Sequence, residues 1–296
     1  MKKLFGVTTA MTTPFDSNGR VDVEAIKTMT NFLIEKGVHC LYPLGTTGEM
    51  MRLSVEERKL VAETVAATAA GRVVVYIQCG AMLQNEVIEL VQHAEKIGAD
   101  GVGVVTPVFF GLNNREMETF YETVAGSISK TFPLYLYNIP QCASNDIKPE
   151  VAQRLAQKCP NIVGIKYSFP DLDRTVDYLN INNGSFSVVL GPDFLFLQGL
   201  TMGCTGCVSG ISSVYPEPFV GVYNAYKKGD IGEAERLQKI AIQYIRTLRG
   251  GSNMAYFKTA QEYRGLPGGH MRAPQLDLLD SEKEELIASL KEIGVY

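Results

Sequence analysis

The chain has no apolar run approaching the ~20 residues that a bilayer-spanning helix requires. Its first residues, Met1-Lys2-Lys3-Leu4-Phe5-Gly6, enter a threonine-rich stretch without the apolar core of a signal peptide. These absences lead us to expect no membrane partner and a cytoplasmic location. A basic stripe is also missing: 28 Lys and Arg are interspersed with 32 Asp and Glu for a net charge of −4, so nothing is arranged to neutralise a phosphate backbone. No nucleic acid is expected. Histidine is scarce, and His39, His93 and His270 do not lie at metal-ligand spacing. Cys204 and Cys207 form a C-x-x-C pair, but a zinc site needs a second pair or a histidine pair. The six dispersed cysteines therefore read as small, reduced core residues. Solenoid repeats are absent as well.

What is present is an ordinary core-forming composition, 46% hydrophobic and 20% charged. Short β-branched or apolar runs alternate with longer segments of helical period, the pattern of βα units around a parallel sheet. Strands are predicted over 6–9, 39–44, 73–79, 101–106, 134–137, 162–166, 187–190 and 206–209, and helices over 22–36, 54–69, 85–97, 115–130 and 148–158. Ser54 with Glu57 reads as a capping box, and Gly37 and Gly71 sit where helices should stop. The run Val73-Val74-Val75-Tyr76-Ile77 is continuously apolar, as a strand covered on both faces should be. Eight such strands can close. The expected fold is α/β, a (β/α)8 TIM barrel over 1–229. A C-terminal helical segment is expected over 230–296, packed on the barrel or on another subunit.

Barrel enzymes carry their chemistry at the C-terminal ends of the strands. Lys166 falls at such an end, in Ile162-Val163-Gly164-Ile165-Lys166. A desolvated lysine amine is a nucleophile toward carbonyls, although a strand-end lysine can equally snorkel to water. Tyr137 ends the neighbouring strand on the same face as Tyr135. Its hydroxyl could move protons beside the amine, or simply be satisfied at the rim. Gly45-Thr46-Thr47-Gly48-Glu49 follows the second strand, and a glycine- and hydroxyl-rich turn before a helix can cradle a carboxylate with its N–H groups, or be a plain helix entry. Its length does not fit a P-loop.

Taken together, Gly45-Thr46-Thr47-Gly48-Glu49, Tyr137-Asn138-Ile139-Pro140 and Gly164-Ile165-Lys166 on this pattern resemble the dihydrodipicolinate synthase/N-acetylneuraminate lyase family over nearly the whole chain. The resemblance implies that Lys166 forms a Schiff base with pyruvate and that Tyr137 transfers protons. It further implies that Thr46 and Thr47 bind the pyruvate carboxylate, that Gly191 and Val208 line the pocket, and that no metal or dissociable cofactor is needed. A homotetramer built as a dimer of dimers is expected.

Some positions depart from the dihydrodipicolinate synthases. Where these carry an arginine for the carboxylate of aspartate semialdehyde, this chain reads Gln141-Cys142-Ala143. Their relay tyrosine after the strand-four Thr-Pro is replaced within Val108-Phe109-Phe110, and phenylalanine cannot relay a proton. Ser168 and Asp193 match a hydroxyl residue and an acid of the sialic acid lyases, while Phe194 replaces the following acid of their sugar-binding loop. The expected reaction is reversible cleavage of a 4-hydroxy-2-oxo acid, of the sialic acid or 2-keto-3-deoxy sugar acid type, to pyruvate and an aldehyde. Synthesis of 4-hydroxy-tetrahydrodipicolinate from pyruvate and aspartate semialdehyde is the alternative, followed by a non-catalytic pyruvate-binding barrel. A phosphate-binding isomerase is a weaker reading, because Gly206-Cys207-Val208-Ser209-Gly210 carries no phosphate fingerprint.

Overall fold

A computed structural model describes residues 1–251, 253–294 and 296. Strands β1 (Gly6–Ala10), β2 (Cys40–Tyr42), β3 (Val74–Gln78), β4 (Gly101–Val105), β5 (Leu134–Asn138), β6 (Ile162–Tyr167), β7 (Ser187–Leu190) and β8 (Gly206–Ser209) follow one another around a closed barrel. Every strand from β4 to β8 is buried at each residue, which is why these runs are largely apolar rather than alternating.

Large and small side chains interleave on these strands. A Cβ at Gly101 would collide with the Tyr76 ring, and one at Gly164 with the Tyr135 ring. The two rings meet edge to face at 5.4 Å between centroids, a favoured geometry for aromatic pairs. Their hydroxyls are satisfied by the N-terminal segment: Tyr76 donates to the Lys2 carbonyl at 2.6 Å, and Leu4 N–H donates to Tyr135 Oη at 3.1 Å. Residues 1–6 thus belong with 74–208 in one compact unit, while 7–73 and 209–296 form a second.

The helices follow their sequence signals closely. Val55–Ala69 opens on the Ser54/Glu57 capping box, and Gly37 and Gly71 take the left-handed φ that a chain leaving a helix needs. Two expectations are corrected. The second strand, expected over 39–44, ends at Tyr42, because the chain turns through a left-handed Leu44 with φ 67°. The helix expected to reach 130 stops at Gly126, where Ser127 Oγ takes the Val124 carbonyl at 2.7 Å and competes with a further turn. Leu172–Leu179 and Phe196–Met202 are helices too short to declare a period in sequence. Among the described residues no helix is long and apolar enough to cross a membrane.

After Pro216–Lys228 the chain continues through helices Ile231–Thr247, Met254–Tyr263 and Asp280–Ile293. This segment is fastened to the rest of its own unit. Gln261 Nε2 donates to Thr12 Oγ1 at 2.9 Å and to the Ser213 carbonyl at 3.2 Å, and Arg272 grips Glu57 at 2.7 and 2.9 Å. Glu217 receives Arg264 at 2.7 Å and Lys36 at 2.9 Å. Burial pushes the Glu217 carboxyl up, but the two cations outweigh it and hold it below its ordinary value of 4.5. A depressed carboxyl contributes stability that is complete above the unfolded value and is lost as pH falls through the folded one. Glu217→Gln should therefore cost about 2 kcal/mol in urea unfolding at pH 7. The difference from wild type should shrink steadily below pH 4.5.

Candidate active site

The geometry around Lys166 starts with an irregularity in strand pairing. Leu134 pairs with Ile162, but Tyr135 pairs with Gly164, so Val163 is an extra residue on β6. A one-residue shift exchanges the faces of a strand. Beyond it Tyr137 pairs with Lys166, and the two side chains project to the same side. Lys166 Nζ lies 3.8 Å from the centroid of the Tyr137 ring, with both residues almost fully buried. An aromatic face at that distance attracts a cation, whether an ammonium or a protonated imine.

The segment after Lys166 is held from three sides. Ser168 N–H donates to the Asn138 carbonyl at 2.8 Å, and Gly191 N–H donates to the Tyr167 carbonyl at 2.7 Å. Gln141 Nε2 donates to the Ser168 carbonyl at 2.7 Å. Gly191 must lack a side chain because a Cβ there would overlap Ser168 Oγ. Ser168 and Gly191 are thus in contact, and this accounts for Gly191 more directly than its place after a strand. Asp193 is buried in the turn Asp193–Leu195, near enough for its charge to add to the burial that raises the Cys207 thiol. Val208 is buried on β8. Burial also pushes the Cys204 thiol up to about 12, so this C-x-x-C pair is chemically quiet. Among the described residues no group of three or more His, Cys, Asp or Glu is placed to hold a metal ion.

The YNIP asparagine, to which sequence reasoning gave no role, organises the back of this region. Asn138 is fully buried; its Nδ2 donates to Asp146 Oδ1 at 2.9 Å, and its Oδ1 accepts from Ile147 N–H at 3.2 Å. Arg174 Nη1 reaches both Asp146 oxygens at 2.7 and 2.9 Å, and Tyr178 donates to the Ile147 carbonyl. The residue next to Tyr137 therefore pins the loop that leaves β5.

In the second unit, the turn after β2 leaves Thr46 exposed and Thr47 half-buried. Leu44 and Glu49, with φ of 67° and 58°, bracket it. Thr13 Oγ1 donates to the Gly48 carbonyl at 2.8 Å, and Glu49 N–H donates to the Thr46 carbonyl at 3.1 Å. Thr47 Oγ1 occupies space 2.8 Å from where a Cβ of Gly210 would lie. The motif's Glu49 is 5% exposed and carries an ion pair with Lys258, a partner that sequence reasoning missed. The departures noted in sequence stand at the surface: Phe109, Phe110 and Phe194 are 74%, 75% and 41% exposed, and Cys142 is exposed.

A model of the dihydrodipicolinate synthetase family matches residues 3–293. The chain is 35% identical over 292 residues to a 4-hydroxy-tetrahydrodipicolinate synthase of Brucella suis, covering 99% of each. It is 34% identical over 246 residues to the "probable 2-dehydro-3-deoxy-D-pentonate aldolase YjhH" of Escherichia coli K12, covering 82% of this chain and 81% of that one. Among solved structures it superposes with a TM-score of 0.94 at 28% identity, covering 100% of both chains, on YagE of E. coli K12, a prophage protein of the same family in complex with pyruvate.

Asn138→Leu keeps the size of the side chain and abandons its contacts with Asp146, Ile147 and Tyr178. It should cost about 2–3 kcal/mol in denaturant unfolding. Arg174→Met, which leaves the Asn138–Ile147 contact in place, should cost less.

Proposed function

The chain belongs to the dihydrodipicolinate synthetase family, whose members are pyruvate-dependent lyases and aldolases. From that membership we propose that it reversibly cleaves a 4-hydroxy-2-oxo acid, of the sialic acid or 2-keto-3-deoxy sugar acid type, to pyruvate and an aldehyde. The observation that carries the reading is the buried Lys166 amine over the Tyr137 ring. The amine adds to the C2 carbonyl, and loss of water gives a protonated imine. That cation draws electrons from the C3–C4 bond as the C4 hydroxyl loses its proton. The bond breaks, the aldehyde departs, and the remaining enamine takes a proton at C3 before water frees Lys166 and pyruvate. Tyr137 serves twice in this scheme: its ring faces the iminium charge and its hydroxyl moves protons. Thr46 and Thr47 are assigned to the pyruvate carboxylate, Gly191 and Val208 to the pocket wall, and Ser168 and Asp193 to the remainder of the substrate. The chemistry needs no cofactor.

Condensation of pyruvate with aspartate semialdehyde is less favoured, because Gln141 spends its amide on the Ser168 carbonyl and Cys142 offers no charge for a second carboxylate. The relationship to a pentonate aldolase supports the sugar-acid side. We further propose a homotetramer in the cytoplasm. The exposed Phe109 and Phe110 rings, with Met82 and Leu83 at 62% and 60% exposure, are costly to leave in water and suit burial against another copy. Six free cysteines suit a reducing compartment.

Borohydride added with pyruvate should leave one covalent adduct, mapped to Lys166 by peptide mass spectrometry and absent from Lys166→Met. An unmodified Lys166 ends the proposal. Tyr137→Phe should retain the adduct while kcat for pyruvate release falls about 10²–10³-fold over a panel of 4-hydroxy-2-oxo acids, with pyruvate and aspartate semialdehyde run in parallel for condensation. Separately, Phe109→Asp with Phe110→Asp should lower the mass in sedimentation velocity.

A further inference from the structure

The turn that carries Thr46 and Thr47 is bracketed by left-handed residues and ends on a buried, ion-paired charge. Leu44 and Glu49 are both non-glycine residues in the left-handed region, a conformation that persists only where its surroundings impose it. Gly48 is pressed against backbone: a Cβ there would lie 2.9 Å from Leu44 N and 3.1 Å from the Met11 carbonyl. The carboxylate of Glu49, 1% exposed, is ion-paired with Lys258 Nζ at 2.8 Å and with Arg52 Nη1 at 2.6 Å. Lys258, itself 2% exposed, also donates to the His270 carbonyl at 2.6 Å and lies 4.4 Å from the centre of the Phe15 ring. Burial draws the Lys258 ammonium below its ordinary range, and Glu49 opposes that shift.

A pair so fully removed from water is expensive to build and more expensive to break, since either member alone is a buried, partly uncompensated charge. Such a pair serves conformational definition better than net stability. Its position is specific, because Glu49 ends the turn and donates its own N–H to the carbonyl of Thr46. Lys258 comes from Met254–Tyr263, in the segment that follows the barrel strands.

We propose that Lys258 is a positioning residue for the reaction: through Glu49 it fixes the Thr46–Thr47 turn in the shape that receives the carboxylate of the 2-oxo acid, so the C-terminal segment is a working part of the site. This rests on the function proposed above for that turn. Without the ammonium, the Glu49 carboxylate keeps only Arg52 and is no longer held inward from the C-terminal segment. The left-handed corner then relaxes, and the N–H donors of the turn disperse.

The test is the pyruvate dependence of borohydride trapping on Lys166, measured on the full chain. Lys258→Met should raise the half-saturating pyruvate concentration at least tenfold while the adduct formed at saturation stays within threefold of wild type. Lys258→Arg, which keeps the charge, should recover part of the loss. Arg264→Met removes the Glu217 contact of the same segment without touching Glu49, Arg52 or Phe15. It should lower the melting temperature and leave half-saturation unchanged, which separates positioning from general loss of stability. If Lys258→Met does not fold by near-ultraviolet circular dichroism, Glu49→Gln carries the same expectation and the same standard. Trapping in wild type with unchanged half-saturation in the folded variants overturns this inference alone. No adduct in wild type overturns the proposed function and this inference with it.

Discussion

Burying an ammonium group is the constraint on which the arrangement of this molecule turns. Lys166 and Lys258 are both taken out of water, at 4% and 2% exposure, and each removal forfeits hydration that something else must replace. Lys258 meets the problem with a carboxylate, a backbone carbonyl and a ring. Lys166 lies at the end of a strand with an aromatic face 3.8 Å from its nitrogen. A carboxylate stabilises the charged amine and so holds it out of reaction. An aromatic face attracts the cation more weakly and serves an iminium as well as an ammonium. Lys258 is committed to architecture, and on the proposed function Lys166 is the amine that meets a carbonyl.

The register of β5 against β6 makes the second arrangement available. With regular pairing from Leu134 and Ile162 onward, Tyr137 would oppose Ile165, and Lys166 would point to the other face. The extra residue at Val163 reverses this. The bulge is tolerated because Gly164, the next residue, yields its side-chain space to the Tyr135 ring, whose hydroxyl is in turn satisfied by Leu4. The N-terminal segment, the glycine and the Lys166–Tyr137 pair thus form one chain of dependence running along two strands.

Much of this was legible in sequence. The eight strands could be placed to within a few residues, because parallel strands buried on both faces are apolar runs and the intervening helices carry caps such as Ser54 with Glu57. Lys166, Tyr137 and the Thr46–Thr47 turn stood out because each combines an unusual residue with a strand end. The bulge was not legible: Val163 looks like any strand valine, and only pairing reveals that it has no opposite number. Asn138 was hidden because its partners, Asp146, Ile147 and Tyr178, are ordinary residues gathered by the tertiary fold. Lys258 did leave a trace. It is a charge on the face that carries Met254 and Ala255, all buried, and a lysine on an apolar helix face asks for a buried carboxylate. The motif's own glutamate was the candidate.

The two halves of the proposed substrate are treated differently by the chain. The residues assigned to the 2-oxo acid end are restrained in depth: Gly48 and Gly191 cannot carry a side chain without collision, and Glu49 is fixed by two cations. The positions where relatives were expected to grip the other half lie at the surface, where Cys142 and Phe194 are exposed, and Gln141 is spent on a backbone carbonyl. A restrained end suits a fragment common to many reactions, since on the proposed function a preorganised turn holds the carboxylate in the same place whatever leaves from C4. The surface end carries none of that restraint. On the proposed function, specificity for the aldehyde can change at these exposed positions while the pyruvate chemistry at Lys166 stays fixed.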